Sequence, residues 1–192
     1  MADIVRTFIA VEIPGEVKNR ASQLISTLRM APAKVKWVEP EHMHWTLKFL
    51  GDVDIREIPR ICEAVSEAVE PLAPFDVEAR GAGAFPDVQR PRTVWVGVGD
   101  GAESMIELHD AIEQALAPLG YRPENRRFRP HLTIGRVRNS PTGIEELGEL
   151  IEQNADFASG LSTIYEVVVF SSELGREGPT HEVLGHAELR GR

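Results

Sequence analysis

Two short stretches of the chain share one pattern of apolar and polar positions. Residues 44–47 read His-Trp-Thr-Leu, and residues 131–134 read His-Leu-Thr-Ile. Because successive side chains of a β-strand point to opposite faces, each histidine shares a face with the threonine two residues later. Each stretch therefore predicts a strand with a buried apolar side and a polar side that carries an imidazole and a hydroxyl.

The similarity extends beyond these two motifs. The motif histidines are 87 positions apart (131 − 44), and the same offset aligns the strand-like residues 7–11 with residues 94–98, and Phe8 with Trp95. Self-similarity at a fixed offset indicates repeated architecture. With only two copies, we predict a pseudo-symmetric pair of lobes. Each would contain a strand, a helix and a His-x-Thr strand, and the two histidines would meet in one cleft.

The remaining pattern mixes strands and helices without strict alternation. Apolar runs predict further strands at residues 6–13, 35–38, 75–79, 93–98, 161–174 and 180–189, with the first motif strand covering 42–50. Helical spacing predicts helices at residues 16–30, 55–69 and 105–116, and one that begins at Ser140 and Pro141. Turns or loops are predicted at residues 51–54, with Asp54 as an N-cap, and at 81–86 and 175–178. This order favours an α+β fold with mainly antiparallel sheets.

Composition narrows the class of protein. A chain of 192 residues, 42% of them hydrophobic, fits one bilobal domain over residues 1–192. The formal net charge of −9 argues against a broad nucleic-acid-binding surface but leaves room for a small basic cleft. Cys62 is the only cysteine, which excludes an intrachain disulfide and a cysteine-based zinc site. With neither a signal peptide nor a membrane-spanning stretch visible, we expect a cytoplasmic protein.

The paired motifs favour acid–base chemistry at phosphorus. Two histidines on opposite sides of a substrate can act as general base and general acid in one displacement. Threonine hydroxyls beside them can donate hydrogen bonds to phosphoryl oxygens. Basic residues near the motifs support an anionic substrate: Lys34, Lys36, Lys48, Arg122, Arg126, Arg127, Arg129, Arg136 and Arg138. We expect most of these arginines to be ordinary surface residues.

Arg136 is the exception among the arginines. Simple alternation would place Arg136 on the face opposite Thr133, but Gly135 between them can form a bulge that restores the cleft face. We therefore predict that Arg136 binds the phosphate. A zinc site is the alternative use of the histidines, with His42 near the first motif. However, a catalytic zinc usually has three protein ligands, and no metal-binding spacing is present. We predict no metal and no cofactor.

The chain resembles the two-histidine (2H) phosphoesterases, in particular the LigT type of RNA 2′,3′-cyclic phosphodiesterase, also called 2′-5′ RNA ligases. The resemblance spans nearly the whole chain. It rests on residues 6–11 (Arg-Thr-Phe-Ile-Ala-Val), 44–51 (His-Trp-Thr-Leu-Lys-Phe-Leu-Gly), 83–86 (Gly-Ala-Phe-Pro), 95–98 (Trp-Val-Gly-Val), 129–136 (Arg-Pro-His-Leu-Thr-Ile-Gly-Arg) and 170–174 (Phe-Ser-Ser-Glu-Leu). It implies a bilobal, pseudo-symmetric LigT-like fold, with two mainly antiparallel sheets flanking a central cleft and helices outside.

The resemblance also implies a reaction and its residues. The implied reaction is metal-independent hydrolysis of 2′,3′-cyclic phosphate ends of RNA, such as tRNA fragments, to 2′-phosphomonoesters by a monomer. His44 is then the proton donor and His131 the proton acceptor. The implied substrate-binding residues are Thr46, Thr133, Arg136 and, by stacking on a base, Phe8. His181 departs from the family pattern, in which we expect an aromatic residue, often tyrosine.

Three alternatives remain open at the level of sequence. The same cleft could join tRNA-like halves through a 2′-5′ linkage, because a catalyst accelerates both directions of a reaction. The protein could act on a small cyclic nucleotide or an ADP-ribose cyclic phosphate, although the arginine-rich segment favours a longer RNA end. A non-catalytic RNA-end binder is disfavoured because both motif histidines are present.

Overall fold

The computed structural model of the protein describes residues 3–138, 141–175 and 179–192. The strands are β1 (Ile4–Glu12), β2 (Val35–Trp37), β3 (His44–Asp54), β4 (Phe75–Phe85), β5 (Thr93–Val98), β6 (His131–Val137), β7 (Ala158–Ile164), β8 (Glu166–Leu174) and β9 (Pro179–Glu188). The helices are α1 (Gly15–Leu28), α2 (Ile58–Val69), α3 (Ala102–Leu116) and α4 (Ile144–Gln153).

The strands form two antiparallel sheets, which confirms the predicted fold class. One sheet has the order β3-β1-β8-β9, and the other has the order β2-β6-β5-β4-β7. Alternation along the motif strands buries Trp45 on one sheet and Leu132 on the other, whereas the histidine faces stay half-buried. The helices pack on the buried faces, and a contiguous apolar cluster includes residues of both sheets.

The internal repeat is longer than the motif pattern indicated, and it interlocks. With β2, β7 and β9 set aside, the first copy runs β1, α1, β3, α2, β4, and the second runs β5, α3, β6, α4, β8 in the same order. The last strand of each copy pairs with the first strand of the other copy: β4 pairs with β5, and β8 pairs with β1. Each sheet is therefore built from both halves of the chain, which holds the two motif strands in a fixed relation.

The predicted loop at residues 81–86 is wrong, because β4 continues to Phe85. Gly81 and Gly83 both lie within the strand and do not end it. Gly83 lies opposite Trp95 on β5, and a Cβ atom at Gly83 would overlap the indole ring. Likewise, residues 51–54 remain part of β3 and do not form a turn. Asp54 caps the next turn as predicted, since its carboxylate accepts a hydrogen bond from the backbone N–H of Arg56 at 3.0 Å.

The single long strand predicted over residues 161–174 is also wrong. The chain leaves the second sheet after β7 and enters the first sheet at β8, with Tyr165 between them. In β7 only Ser159 and Ile164 are buried, whereas residues 167–171 of β8 are all buried, and the sequence pattern does not indicate the change of sheet between them. The fourth helix begins at Ile144 after Gly143, not at Pro141. The predicted cap Ser140 and the turn at residues 176–178 lie outside the described residues.

Candidate active site

A cleft of about 1020 Å³ opens where the two sheets face each other. Both motif strands supply its walls: His44 and Thr46 come from β3, and His131 and Thr133 from β6. The structure thus brings the two His-x-Thr motifs together in one cleft, as the sequence predicts. Phe8 and Arg136, the other two predicted site residues, also line this cleft.

Arg136 reaches the cleft through an irregularity in β6. Thr133 lies opposite Trp95 and Gly135 lies opposite Val94, so Ile134 is an extra residue between two consecutive pairs. Both Ile134 and Gly135 are buried, and Arg136 returns to the face of Thr133. Gly135 is needed here because a Cβ atom would approach the Trp37 ring of β2 to 2.7 Å. This is the bulge that the glycine predicted.

His131 is oriented by its own backbone. Its Nδ1 atom lies 2.6 Å from the backbone carbonyl oxygen of Arg129, so Nδ1 carries a proton and donates it to that oxygen. In the neutral imidazole, the lone pair is then on Nε2. Burial lowers the pKa of His131 below its usual 6.5, and the charge of Arg136 contributes in the same direction, whereas the bond to Arg129 opposes them. His131 is therefore mainly uncharged at neutral pH, with the lone pair on Nε2.

His44 lies in an aromatic and cationic environment. Its ring stacks on Phe8 with centroids 4.9 Å apart, and His181 approaches edge-on at 5.3 Å. Burial lowers the pKa of His44 from 6.5 to about 4, with further lowering by His181, His42 and Lys18. A hydrogen bond with the backbone of His42 opposes this shift. Without an anion beside it, His44 is neutral at pH 7.

The ring of Phe8 is covered by neighbouring rings. Only 3% of Phe8 is exposed, and its ring stacks on both His44 and Phe170, the latter with centroids 5.2 Å apart. The base-stacking role predicted for Phe8 therefore lacks a free ring face. His181 does reach the cleft, where its ring is edge-on to Phe8 at 5.0 Å. His181 occupies the position at which the family resemblance implied an aromatic residue.

The basic residues of the cleft differ from those expected. The segment between α3 and β6 contributes more arginines than predicted, and two further arginines come from β1 and from the loop before β5. The cleft-lining arginines are Arg6, Arg92, Arg126, Arg127, Arg129 and Arg136. The many arginines of this segment indicate an anionic ligand, but the sequence alone predicts that most of them are ordinary surface residues.

The lysines near the first motif behave differently from the arginines. Lys34 and Lys36 do not line the cleft, and Lys48 is 3% exposed. The Lys48 ammonium pairs with the Glu113 carboxylate on α3 and donates to the backbone carbonyl of Arg122 at 3.1 Å. Lys48 thus anchors the start of the arginine-bearing segment and does not face a substrate.

Over residues 3–138, 141–175 and 179–192, no group of three or more His, Cys, Asp or Glu side chains is arranged to hold a metal ion. Within the same described ranges, the helices are too short or too polar for any of them to cross a bilayer.

Comparison with known proteins identifies the family. The sequence pattern described as "LigT like Phosphoesterase" matches twice, at residues 11–95 and 96–181. A protein of Methanothermobacter thermautotrophicus named RNA 2′,3′-cyclic phosphodiesterase is 38% identical over 92% of this chain and 95% of its own length. A Thermotoga maritima protein of the same name is 34% identical, covering 97% and 96%.

The likeness extends to solved structures. A crystal structure of a Thermus thermophilus protein superimposes with a TM-score of 0.80 at 25% identity, covering 97% of this chain and 99% of the other. The chain belongs to the LigT-like phosphoesterase family. The double match of the family pattern agrees with the repeat seen in the sheets.

Proposed function

We propose that this protein hydrolyses 2′,3′-cyclic phosphate ends of RNA to 2′-phosphomonoesters by metal-independent acid–base catalysis. The relatives that cover almost the whole chain carry the name of this activity. The observation that carries the proposal is geometric: two His-x-Thr pairs and Arg136 line one cleft between the sheets. An in-line displacement at phosphorus uses that set of groups.

The proposed reaction uses each histidine once. Nε2 of His131 takes a proton from a water molecule, whose oxygen forms a new bond to phosphorus. The bond between phosphorus and the 3′ oxygen breaks, and His44 gives its proton to that oxygen. The 2′ oxygen keeps the phosphate, so the product is a 2′-phosphomonoester. Thr46, Thr133 and Arg136 would hold the non-bridging oxygens, whose negative charge grows during the displacement.

His44 must hold a proton when the reaction begins, although its pKa is about 4 in the substrate-free cleft. An anionic phosphate beside the imidazole favours the charged form and raises its pKa. Substrate binding therefore favours the protonated form of His44, the proposed acid. In the same complex, the Arg129 carbonyl keeps the Nε2 lone pair of His131 available for water.

A labelled RNA ending in a 2′,3′-cyclic phosphate tests the proposal directly. In EDTA, we expect the substrate to gain one water molecule and to show a 2′-phosphomonoester in phosphorus NMR. Adenosine 2′,3′-cyclic phosphate, assayed in parallel, reports whether the enzyme prefers a longer RNA. A substrate left intact, or one cleaved only after a divalent ion is added back, would contradict the proposal.

A change of leaving group separates the two histidine roles. General acid catalysis matters when the leaving oxygen is a poor leaving group, as a ribose hydroxyl is, and matters little for nitrophenolate. On a nitrophenyl phosphodiester, we expect His44→Ala to recover much of the wild-type rate and His131→Ala to remain impaired. Steady-state kinetics with both substrates measures this. Rescue of His131→Ala instead would reverse the assignment.

The pH dependence of kcat/KM follows from the two lowered pKa values. The active form carries a proton on His44 and none on His131. The fraction of molecules in that form is greatest between the pKa of His44, about 4, and the pKa of His131, which burial lowers below 6.5. We therefore expect kcat/KM to be highest between these limits and to fall tenfold per pH unit well above them. A pH profile with an optimum above 7 would contradict this expectation.

A variant of His181 checks the electrostatic part of this argument. The charge of His181 lowers the pKa of His44, so His181→Phe keeps a ring against Phe8 and removes the charge. The pKa of His44 then rises, and the acidic limb of the profile moves above pH 4. An unchanged acidic limb in this variant would show that His181 does not contribute to the lowered pKa of His44.

A further inference from the structure

A second cavity, of about 510 Å³, lies beside the cleft, and we call it the side pocket. Arg127, Phe128 and Arg129 line both spaces, so the arginine-bearing segment separates them. Over the described residues, the wall of the side pocket contains three arginines, Arg80 and the two of the separating segment, and no acidic side chain. In a protein with a net charge of −9, this concentration of positive charge indicates an anionic ligand.

Arg80 lies in the same row of the second sheet as His131. Gly97 on β5 is the cross-strand partner of His131 on β6, and Arg80 on β4 is the partner of Gly97. Directly opposed residues of antiparallel strands share a face of the sheet. Their Cα atoms are about 4.5–5.5 Å apart, which places the backbones of Arg80 and His131 about 10 Å apart. Between them, Gly97 leaves the sheet without a side chain.

Two contacts orient the Arg80 side chain. Its Nε atom donates a hydrogen bond to the Glu78 carboxylate at 2.7 Å. Its stem passes over Gly99, where a Cβ atom would approach the Cδ atom of Arg80 to 2.9 Å. The bond to Glu78 uses only Nε, and the Arg80 side chain is 56% exposed. The two terminal nitrogens of its guanidinium can therefore bind a phosphate group.

The side pocket keeps a positive charge although Glu78 offsets part of the charge of Arg80. The Glu78 side chain is 9% exposed and does not line the pocket. Among the ion pairs of the described residues, none involves Arg127 or Arg129. These two arginines therefore contribute their full charge to the wall that faces Arg80.

We propose that the side pocket binds the phosphodiester on the 5′ side of the terminal nucleotide, whose cyclic phosphate lies in the cleft. This inference rests on the proposed function. The two phosphate groups are joined through one ribose, which lies above Gly97, between His131 and Arg80. Arg80 binds the phosphodiester from the sheet, and Arg127 and Arg129 bind it from the separating segment. The pocket thus selects an RNA chain over a single nucleoside cyclic phosphate, and it does so without reading the sequence.

Three substrates isolate the contact with the phosphodiester. Adenosine 2′,3′-cyclic phosphate lacks this group and reports the cleft alone. The dinucleotide ApA 2′,3′-cyclic phosphate carries it, and a methylphosphonate analogue of the dinucleotide replaces the charged linkage by a neutral one. For the wild-type protein, we expect the ratio of kcat/KM for the charged dinucleotide to that for the neutral one to exceed about ten. In Arg80→Gln, this ratio should fall by about tenfold, the lower end of what a hydrogen bond to a charged group contributes.

Arg190 provides a matched control. Like Arg80, it donates through Nε to a glutamate two residues earlier, Glu188 at 3.0 Å, but it lines neither cavity. Arg190→Gln should leave the ratio unchanged. The double variant Glu78→Gln/Arg80→Gln leaves no carboxylate without its partner, so it separates the loss of binding from any loss of stability. It should reproduce the fall seen in Arg80→Gln.

Equal kcat/KM values for the charged and the neutral dinucleotide in the wild-type protein would overturn the side-pocket site. The same holds if the wild-type ratio persists in both Arg80 variants. In either case, hydrolysis of adenosine 2′,3′-cyclic phosphate would leave the proposed function intact. If the wild-type protein hydrolyses none of the three substrates, both proposals fail.

Discussion

We expect alanine at His44 or at His131 to lower kcat/KM for an RNA 2′,3′-cyclic phosphate by about 10²–10⁴-fold, the range of general acid–base catalysis. The double variant should lose little more than the worse single variant. In the proposed mechanism both protons move in one displacement, so removing either histidine removes the concerted step. The residual activity would come from the threonines and Arg136, which would still hold the phosphate.

Initial rates of the two single variants and the double variant, with one RNA substrate, measure this non-additivity. His186→Ala serves as the control, because His186 is 52% exposed, pairs with Glu166 and does not line the cleft. It should retain wild-type activity. Losses that multiply in the double variant would mean that the histidines act in separate steps. Activity near wild type in either single variant would remove that histidine from the mechanism.

The sequence was most informative where chemistry repeats. Two His-x-Thr strands at a fixed offset predicted both the shared cleft and the pseudo-symmetric pair, and Gly135 predicted the bulge beside Arg136. A glycine signals a bulge because it relieves the contact between strands that a side chain would make. In the first half, the corresponding position holds Lys48, which has no such signature. The burial of Lys48 could therefore not be inferred from the pattern.

Other features depend on contacts that a linear pattern does not contain. Phe8 lies in a buried-looking strand, and its contact with His44 became visible only when β1 and β3 were paired. The exchange of β4 and β8 between the sheets depends on which strands pair, and hydrophobicity alone does not specify the partner of a strand. The contribution of the arginine-rich segment to the cleft cannot be read from the sequence for a related reason. Surface arginines are common, and only the cleft shows which of them converge.

The buried pair of Lys48 and Glu113 leads to the largest expected effect on stability. Lys48 lies in β3 beside the motif, and Glu113 lies in α3, with 3% and 8% of their side chains exposed. His109 lies 3.6 Å from the same carboxylate oxygen and stacks on Phe128 of the arginine-bearing segment. Removing one partner leaves a charge in the core without compensation, which costs far more than losing a surface ion pair.

Glu113→Leu and Lys48→Met should each lower the free energy of unfolding by about 3–5 kcal/mol, as measured by urea denaturation. The double variant Lys48→Met/Glu113→Leu should recover most of this loss, because apolar side chains of similar volume leave no buried charge. Arg90→Met is the control: Arg90 is 84% exposed and pairs with Asp87 at 3.6 Å, and such a pair contributes less than about 1 kcal/mol. If the losses of the two single variants simply add in the double variant, the residues do not stabilise each other. The anchoring of the arginine-bearing segment would then have to depend on the contact between His109 and Phe128.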